Sequence, residues 1–400
     1  MTRELPRRTL RSLVVLAVVA GSGCASSAAP KSAPSDAGPA RGAASAPAAR
    51  PAMELLAGMP PYPSRQNVYA AAGPGMLSPK VRDHLPLVYV PNTNSDDVYV
   101  INPATFKVVD RFYGGPEPQH VVPSYDMSTL YVTSSRVPGG SVLPINPHTG
   151  RPGKIIKVQD VYNLYFTPDG KYAIVVAEYY RRLDFYDPRT WQRKKSAKFP
   201  GCAGINHMDF TVDGKTALVS CEFANRMIAV DVATGRMLRE LKLDVVPDGM
   251  PQDTRLVPDG TAFLVADMHA NGVYVFDGAA TRRIGFIRTG VRAHGIYFSR
   301  DGRRAFVSNR DEGSVSVLDM ATRKPAAKWR IPGGGSPDMG GVSADGKVLW
   351  LTGRYDNEVY AFRISDGFLL ARIKVGSGPH GLTVWPQPGR YSLGHTGNIR

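Results

Sequence analysis

Residues 293–331, AHGIYFSRDGRRAFVSNRDEGSVSVLDMATRKPAAKWRI, decide the fold. Four short apolar runs lie in this stretch, separated by turn residues. The run 295–298 closes on Ser299-Arg300-Asp301-Gly302, and an Asp-Gly pair supplies the positive φ that a tight hairpin needs. The next run, 305–308, ends in the polar segment 309–313. Residues 314–318 then alternate polar and apolar with a period of two, as a half-buried strand does. The turn 319–322 leads into a fourth run that ends at Ile331. The unit predicts a four-stranded antiparallel meander, about one propeller blade long.

The same punctuation recurs outward from this unit. The hairpin signal returns as Pro168-Asp169-Gly170, Val212-Asp213-Gly214, Pro258-Asp259-Gly260 and Ala344-Asp345-Gly346, with a degraded copy at Tyr125-Asp126. Second-strand runs return at 88–92, 130–133, 174–176, 218–220, 264–266 and 349–352. Equivalent positions are spaced by about 42–46 residues, within the range of four-stranded blades. The chain therefore reads as all-β, a seven-bladed β-propeller of four-stranded antiparallel blades. Its first copy starts with a second strand at 87–90, and its last innermost strand, 380–385, has no blade after it. The C-terminal strand is predicted to complete the N-terminal blade and close the ring, which removes the unpaired edges of an open one.

From Leu85 to Gln387 these repeats resemble the YVTN family of bacterial β-propellers, with 89–92 and 131–134 carrying variants of the name-giving tetrapeptide. The Gly-His and Trp-Asp signature of WD40 repeats is missing. The resemblance implies the fold and leaves the function open, because such propellers serve many roles. YVTN-type propellers are also similar to the d1-haem domain of nitrite reductases, so the resemblance admits a haem-type tetrapyrrole with a histidine on iron. There is no CxxCH motif for covalent attachment of c-type haem.

Residues 1–24 read as an export signal. Arg3, Arg7, Arg8 and Arg11 precede an apolar run, 13–20, too short to span a bilayer. Cys24 follows Ala20-Gly21-Ser22-Gly23, so it is either lipidated, giving a membrane anchor, or lost by ordinary cleavage. The Arg pair leaves both general and twin-arginine export open. The Ala/Ser/Pro-rich segment 25–52 reads as a disordered tether. Residues 53–85 are a lead-in, 86–390 the propeller and 391–400 a tail. This places the protein on the outer face of a bacterial membrane as a lipoprotein, or in a secreted or periplasmic location. A formal charge of +15 suits anionic partners, but no basic stretch interleaves with aromatics as specific nucleic-acid readout would need. Cys202 and Cys221 are either a disulfide, two thiols or thiolate ligands.

In a meander blade, the start of the innermost strand and the loop between second and third strands share one face. Innermost strands begin near His120, Asn163, His207, Asp253, His294, Asp338 and His380, so four of the eight histidines gather at one channel mouth. The loops add Glu178, Glu222, Asp267, His269, Arg310 and Arg354. His294 and Asp338 stand one residue further from their hairpin Asp than the others, and such a slip can turn a side chain away. A tail continuing as a partial strand would return to this face and cap it with His395.

Three uses of this face compete: plain hydration of the mouth, a metal ion on His207, His294 and His380 with His120 nearby, or an organic anion held by Arg310 and Arg354. No P-loop, no nucleophile elbow and no GxGxxG motif opening a helix is present. The sequence thus reads as a binding or scaffold protein of the envelope, its partner an envelope protein or a small anionic ligand. The alternative is a metal- or haem-dependent oxidoreductase, or an accessory protein to one.

Overall fold

A computed structural model describes residues 53–64, 66–395 and 397–400; the segments read as export signal and tether, with Cys24, lie outside them. Seven four-stranded antiparallel sheets form the ring. The closing blade is built from both ends of the chain, with Thr383–Trp385 hydrogen-bonded to Leu87–Asn92 in the register Leu87↔Trp385, Val88↔Val384, Tyr89↔Thr383. This is the closure that the unpaired first and last repeats predict.

The hairpins form because each turn satisfies itself. Asp169 Oδ1 accepts hydrogen bonds from the Thr167 hydroxyl (2.5 Å) and the Lys171 amide (3.0 Å), and Asp213, Asp301 and Asp345 repeat the pattern. In the degraded copy Met127 stands where the others have Gly and takes φ +65°. Asp126 offsets that strain by accepting from the Ser124 hydroxyl and the Ser128 amide.

The apolar core lies between adjacent blades. Tyr297, Phe306 and Val317 of one sheet, for example, pack on Val342, Leu349, Leu351 and Tyr360 of the next. Outermost strands such as Arg193–Lys198 and Met237–Lys242 are largely exposed and charged. Charge there blunts an edge that could otherwise pair with another chain. Cys202 and Cys221 are joined in a disulfide inside one blade, which decides among the three readings of the pair.

The lead-in runs along the Asp-Gly hairpin face. Leu56 donates to Asp213 O, Val68 to Pro258 O and Gly75 to Ala344 O, and Val68 and Val81 are buried. Among the described residues no helix is long and apolar enough to cross a membrane.

A candidate metal centre in the propeller channel

The one-residue slip between blades is resolved by bulges. Pairing between innermost and second strands is irregular from Ile205 to Met208, Pro251 to Thr254, Ala293 to Ile296 and Pro337 to Gly340. A bulge breaks the strict alternation of a strand and re-aims side chains. Consecutive residues such as Asn206-His207 and Gln252-Asp253 are therefore both buried at the axis. The channel is filled in two tiers. Gln119, His294, Asp338 and His380 belong to the tier nearer the mouth, and His120, Asn163, His207 and Asp253 to the tier below it.

The histidines meet across the axis. Ring centroids lie 4.7 Å apart for His120 and His380, 5.7 Å for His120 and His207, and 6.4 Å for His207 and His294. Close approach of the closing blade and the blade that follows it requires Gly381, since a Cβ there would sit 2.1 Å from His120 Cδ2. Imidazoles this close leave space among themselves for an ion and none for a planar tetrapyrrole.

A fifth histidine joins the lower tier from the tail. Gly394 bridges to Tyr165 and the His395 amide donates to Leu164 O. His395, at φ +52°, forms the tip of a small loop closed by Ser392 and Ile399. The loop enters from the hairpin face, opposite the mouth, so the tail plugs the channel base and does not cap the mouth. Nothing in the repeat pattern signals His395, because it belongs to no blade.

Ligand atoms of His120, His207 and His395 lie within 4.8 Å of one another, all buried. His120 Nδ1 is 2.9 Å from the Tyr162 carbonyl, so this nitrogen carries the proton and Nε2 presents its lone pair. His120 Nε2 and His207 Nε2 are both buried and have no hydrogen-bond partner. His207 Nδ1 lies 3.2 Å from the Asn163 amide nitrogen and 3.5 Å from the Tyr165 hydroxyl. His395 Nε2 is 3.4 Å from Asp253 Oδ1. Burial lowers the pKa of His120 to about 4 and holds His207 and His395 well below the usual imidazole range. All three are neutral at pH 7, as metal ligation requires.

The upper tier differs. His294 Nδ1 and Arg310 share Asp338 Oδ1, at 2.9 Å from the imidazole and 2.5 Å from Arg310 Nη2, while His380 Nε2 stands 3.8 Å from Oδ2. Burial opposes the charge on Asp338, but Arg310 and His294 outweigh it and hold the carboxyl well below its ordinary range. His294, Asp338 and His380 form a second set of ligand-type atoms. The expected trio His207, His294 and His380 is thus divided between two sets, because His207 belongs to the lower tier.

At the mouth, half-buried Glu178 and Glu222 are both pushed up, first by burial. Arg310 is buried beside Tyr355, and Arg354 donates to Thr93 Oγ1 (2.9 Å) and Gly378 O (3.0 Å). Asp267, expected among the mouth's binding groups, spends its carboxylate on its own loop by accepting from Met250, His269 and Ala270 amides. His269 turns to the Asp248 carbonyl, 2.7 Å away.

Fold and channel together define a YVTN-type propeller, ring-closed between its two ends, with a buried histidine-rich axis. More narrowly, the chain belongs to the YncE-like β-propeller family, whose model matches residues 81–388. No curated protein matches it. Among solved structures, a functionally unknown protein from Desulfotomaculum acetoxidans DSM 771 is similar with TM-score 0.59 at 16% identity, over 74% of this chain and 98% of that one. Kuenenia stuttgartiensis hydrazine synthase gives 0.55 at 19% identity, over 65% and 87%. The dihydro-heme d1 dehydrogenase NirN, in complex with DHE, gives 0.55 at 16% identity, over 81% and 82%. At such identities the likeness establishes the shared fold alone.

Proposed function

We propose that the protein is an exported metal-binding propeller, tethered to the outer face of a bacterial membrane through Cys24, that holds a divalent transition-metal ion between His120, His207 and His395. The observation that carries this is the pair of buried Nε2 atoms on His120 and His207, which lack hydrogen-bond partners and belong to one set of ligand-type atoms. A buried polar atom without a partner is costly, and an ion satisfies both at once. Three imidazoles leave a coordination position open and suit ions of intermediate softness such as zinc, copper or iron. Two ligands at ~2.1 Å from one ion lie at most ~4.2 Å apart, so loading draws the rings together slightly. Metal at His207 Nε2 places that ring's proton on Nδ1, where the Tyr165 hydroxyl oxygen accepts it. The intrachain disulfide supports an oxidising, extracytoplasmic location.

Elemental analysis of protein purified from its exported compartment, with cobalt(II) titration of the chelator-treated form, tests this. One ion per chain is expected. His207→Ala and His395→Ala should each weaken uptake beyond the roughly 10–100-fold that removal of an outer-shell partner costs. Metal-free native protein that takes up no cobalt would sink the proposal. For the tether, Cys24→Ser should move the protein from the membrane to the soluble fraction, and an unchanged distribution would refute it.

A second reading rests on the rim. Tyr179, Phe223 and Tyr355 stand in loops on the mouth face, 69%, 62% and 60% exposed. Exposed aromatics at corresponding positions suit capture of an envelope partner.

A further inference from the structure

Three buried carboxylates along the channel each face a guanidinium, while half-buried Arg354 at the mouth faces none. Asp209, Asp253 and Asp338 are fully buried, and Arg255, Arg310 and Arg400 nearly so. Each guanidinium faces its own carboxylate: Arg255 and Asp253 at 3.5 Å, Arg310 and Asp338 at 2.5 Å, Arg400 and Asp209 at 2.9 Å. Arg354 is the exception. It forms no ion pair among the described residues; its two hydrogen bonds both leave Nη1, for Thr93 Oγ1 and Gly378 O. Nε and Nη2 have no acceptor among the described residues. The nearby acids do not compensate: burial favours the neutral form of Glu178 and Glu222, and Asp267, likewise raised by burial, turns its carboxylate to its own loop amides. A divalent ion on the lower tier adds two positive charges to this surplus, and uncompensated buried charge is expensive.

The same surplus decides what the upper tier takes. His294, Asp338 and His380 have the composition of a second cation site, and Asp338 Oδ2 has no hydrogen-bond partner. However, Asp338 Oδ1 is already held by Arg310 through Nε (3.2 Å) and Nη2 (2.5 Å). A second divalent ion would have to sit beside two guanidiniums. Beside Arg354 stands Tyr162, whose ring lies 6.1 Å from both His207 and His380 and 5.4 Å from His120. Its hydroxyl makes no hydrogen bond to another described residue. An unpaired guanidinium and an unused phenol at a channel mouth are donors without an acceptor.

We infer that this mouth binds a small oxyanion, inorganic or carboxylate, held by Arg354 and the Tyr162 hydroxyl above the metal-binding histidines. The anion offsets the channel's positive charge, and its position defines the class of ligand that reaches the open coordination position. The charge-balance argument rests in part on the proposed metal, while the donor geometry does not.

Isothermal titration of the metal-free and the cobalt-loaded protein with sulfate, phosphate and acetate tests this and separates inorganic from carboxylate ligands. Saturable binding of at least one is expected, tighter in the cobalt form. Arg354→Gln should weaken it about tenfold to a hundredfold, Tyr162→Phe by less, and the outer-rim Arg330→Gln should leave it unchanged. Failure of all three anions to bind either form, or wild-type affinity in Arg354→Gln, overturns the inference. Metal-free protein that binds an anion yet takes up no cobalt overturns the metal reading alone. Protein that takes up cobalt and ignores every anion overturns this inference alone.

Discussion

Chelator-treated protein is expected to lose stability as the pH falls from about 6.5 toward 4. Five imidazoles, on His120, His207, His294, His380 and His395, are buried, and burial lowers the pKa of each below the value of 6.5 they regain on unfolding. A base with a depressed folded pKa contributes stability that is intact above its unfolded pKa and lost as the pH falls through the folded one. For His120, whose folded pKa is about 4, the full loss is about 3 kcal/mol. Four acids act in the opposite sense. Glu178, Glu222, Asp267 and Asp160 are raised by burial, Asp160 to about 6, so the folded chain keeps protons there that the unfolded chain has released. The imidazoles outnumber these acids, which leaves a positive slope of stability against pH between roughly pH 6 and 5. Urea titrations at half-unit steps would measure it, and His207→Gln should remove about one proton's share of the slope. A midpoint unchanged from pH 7 to pH 5 would show that the five rings are not buried as neutral bases.

Sequence and structure agree most closely where local turn chemistry dictates the chain path. The Asp-Gly hairpins and the period-two runs specify each blade, and the missing strand at one end with the surplus strand at the other specifies closure. The channel was half legible. His120, His207, His294 and His380 stand out because innermost strands must converge at an axis. Their division into two tiers follows the one-residue offset of His294 and Asp338 from their hairpin Asp, but a bulge at that point in four blades keeps both positions buried where strict alternation would turn one away. Asp267 reads as a mouth ligand from its position, yet its own loop offers three amides that claim the carboxylate first. His395 reads as a cap on the mouth, and its true seat at the channel base is hidden for a different reason. Its place is set by tertiary contacts of a short tail, in particular by Arg400, and no periodicity encodes such a contact.

That tail contact should be among the most sensitive points in the molecule. Asp209 accepts from the Leu256 amide (2.8 Å), the Asn398 amide nitrogen (3.0 Å) and Arg400 Nη2 (2.9 Å), with every atom inside the protein. Arg400 also lies over the Tyr69 ring at 4.2 Å, so one carboxylate ties an innermost strand, the next blade and the tail together. Asp209→Ala leaves a guanidinium buried without its partner, and losses of that kind are about 3–5 kcal/mol. Expelling Arg400 to water is the cheaper response, and it unseats the loop that carries His395. The variant should therefore lose cobalt affinity as His395→Ala does, although Asp209 itself is no ligand. Asp209→Asn combined with Arg400→Met keeps an acceptor oxygen and removes the orphaned charge, and should recover most of the stability. If Asp209→Ala loses stability but binds cobalt as the wild type does, the seating of His395 is independent of the buried pair. If it loses neither, the pair does not hold the tail at all.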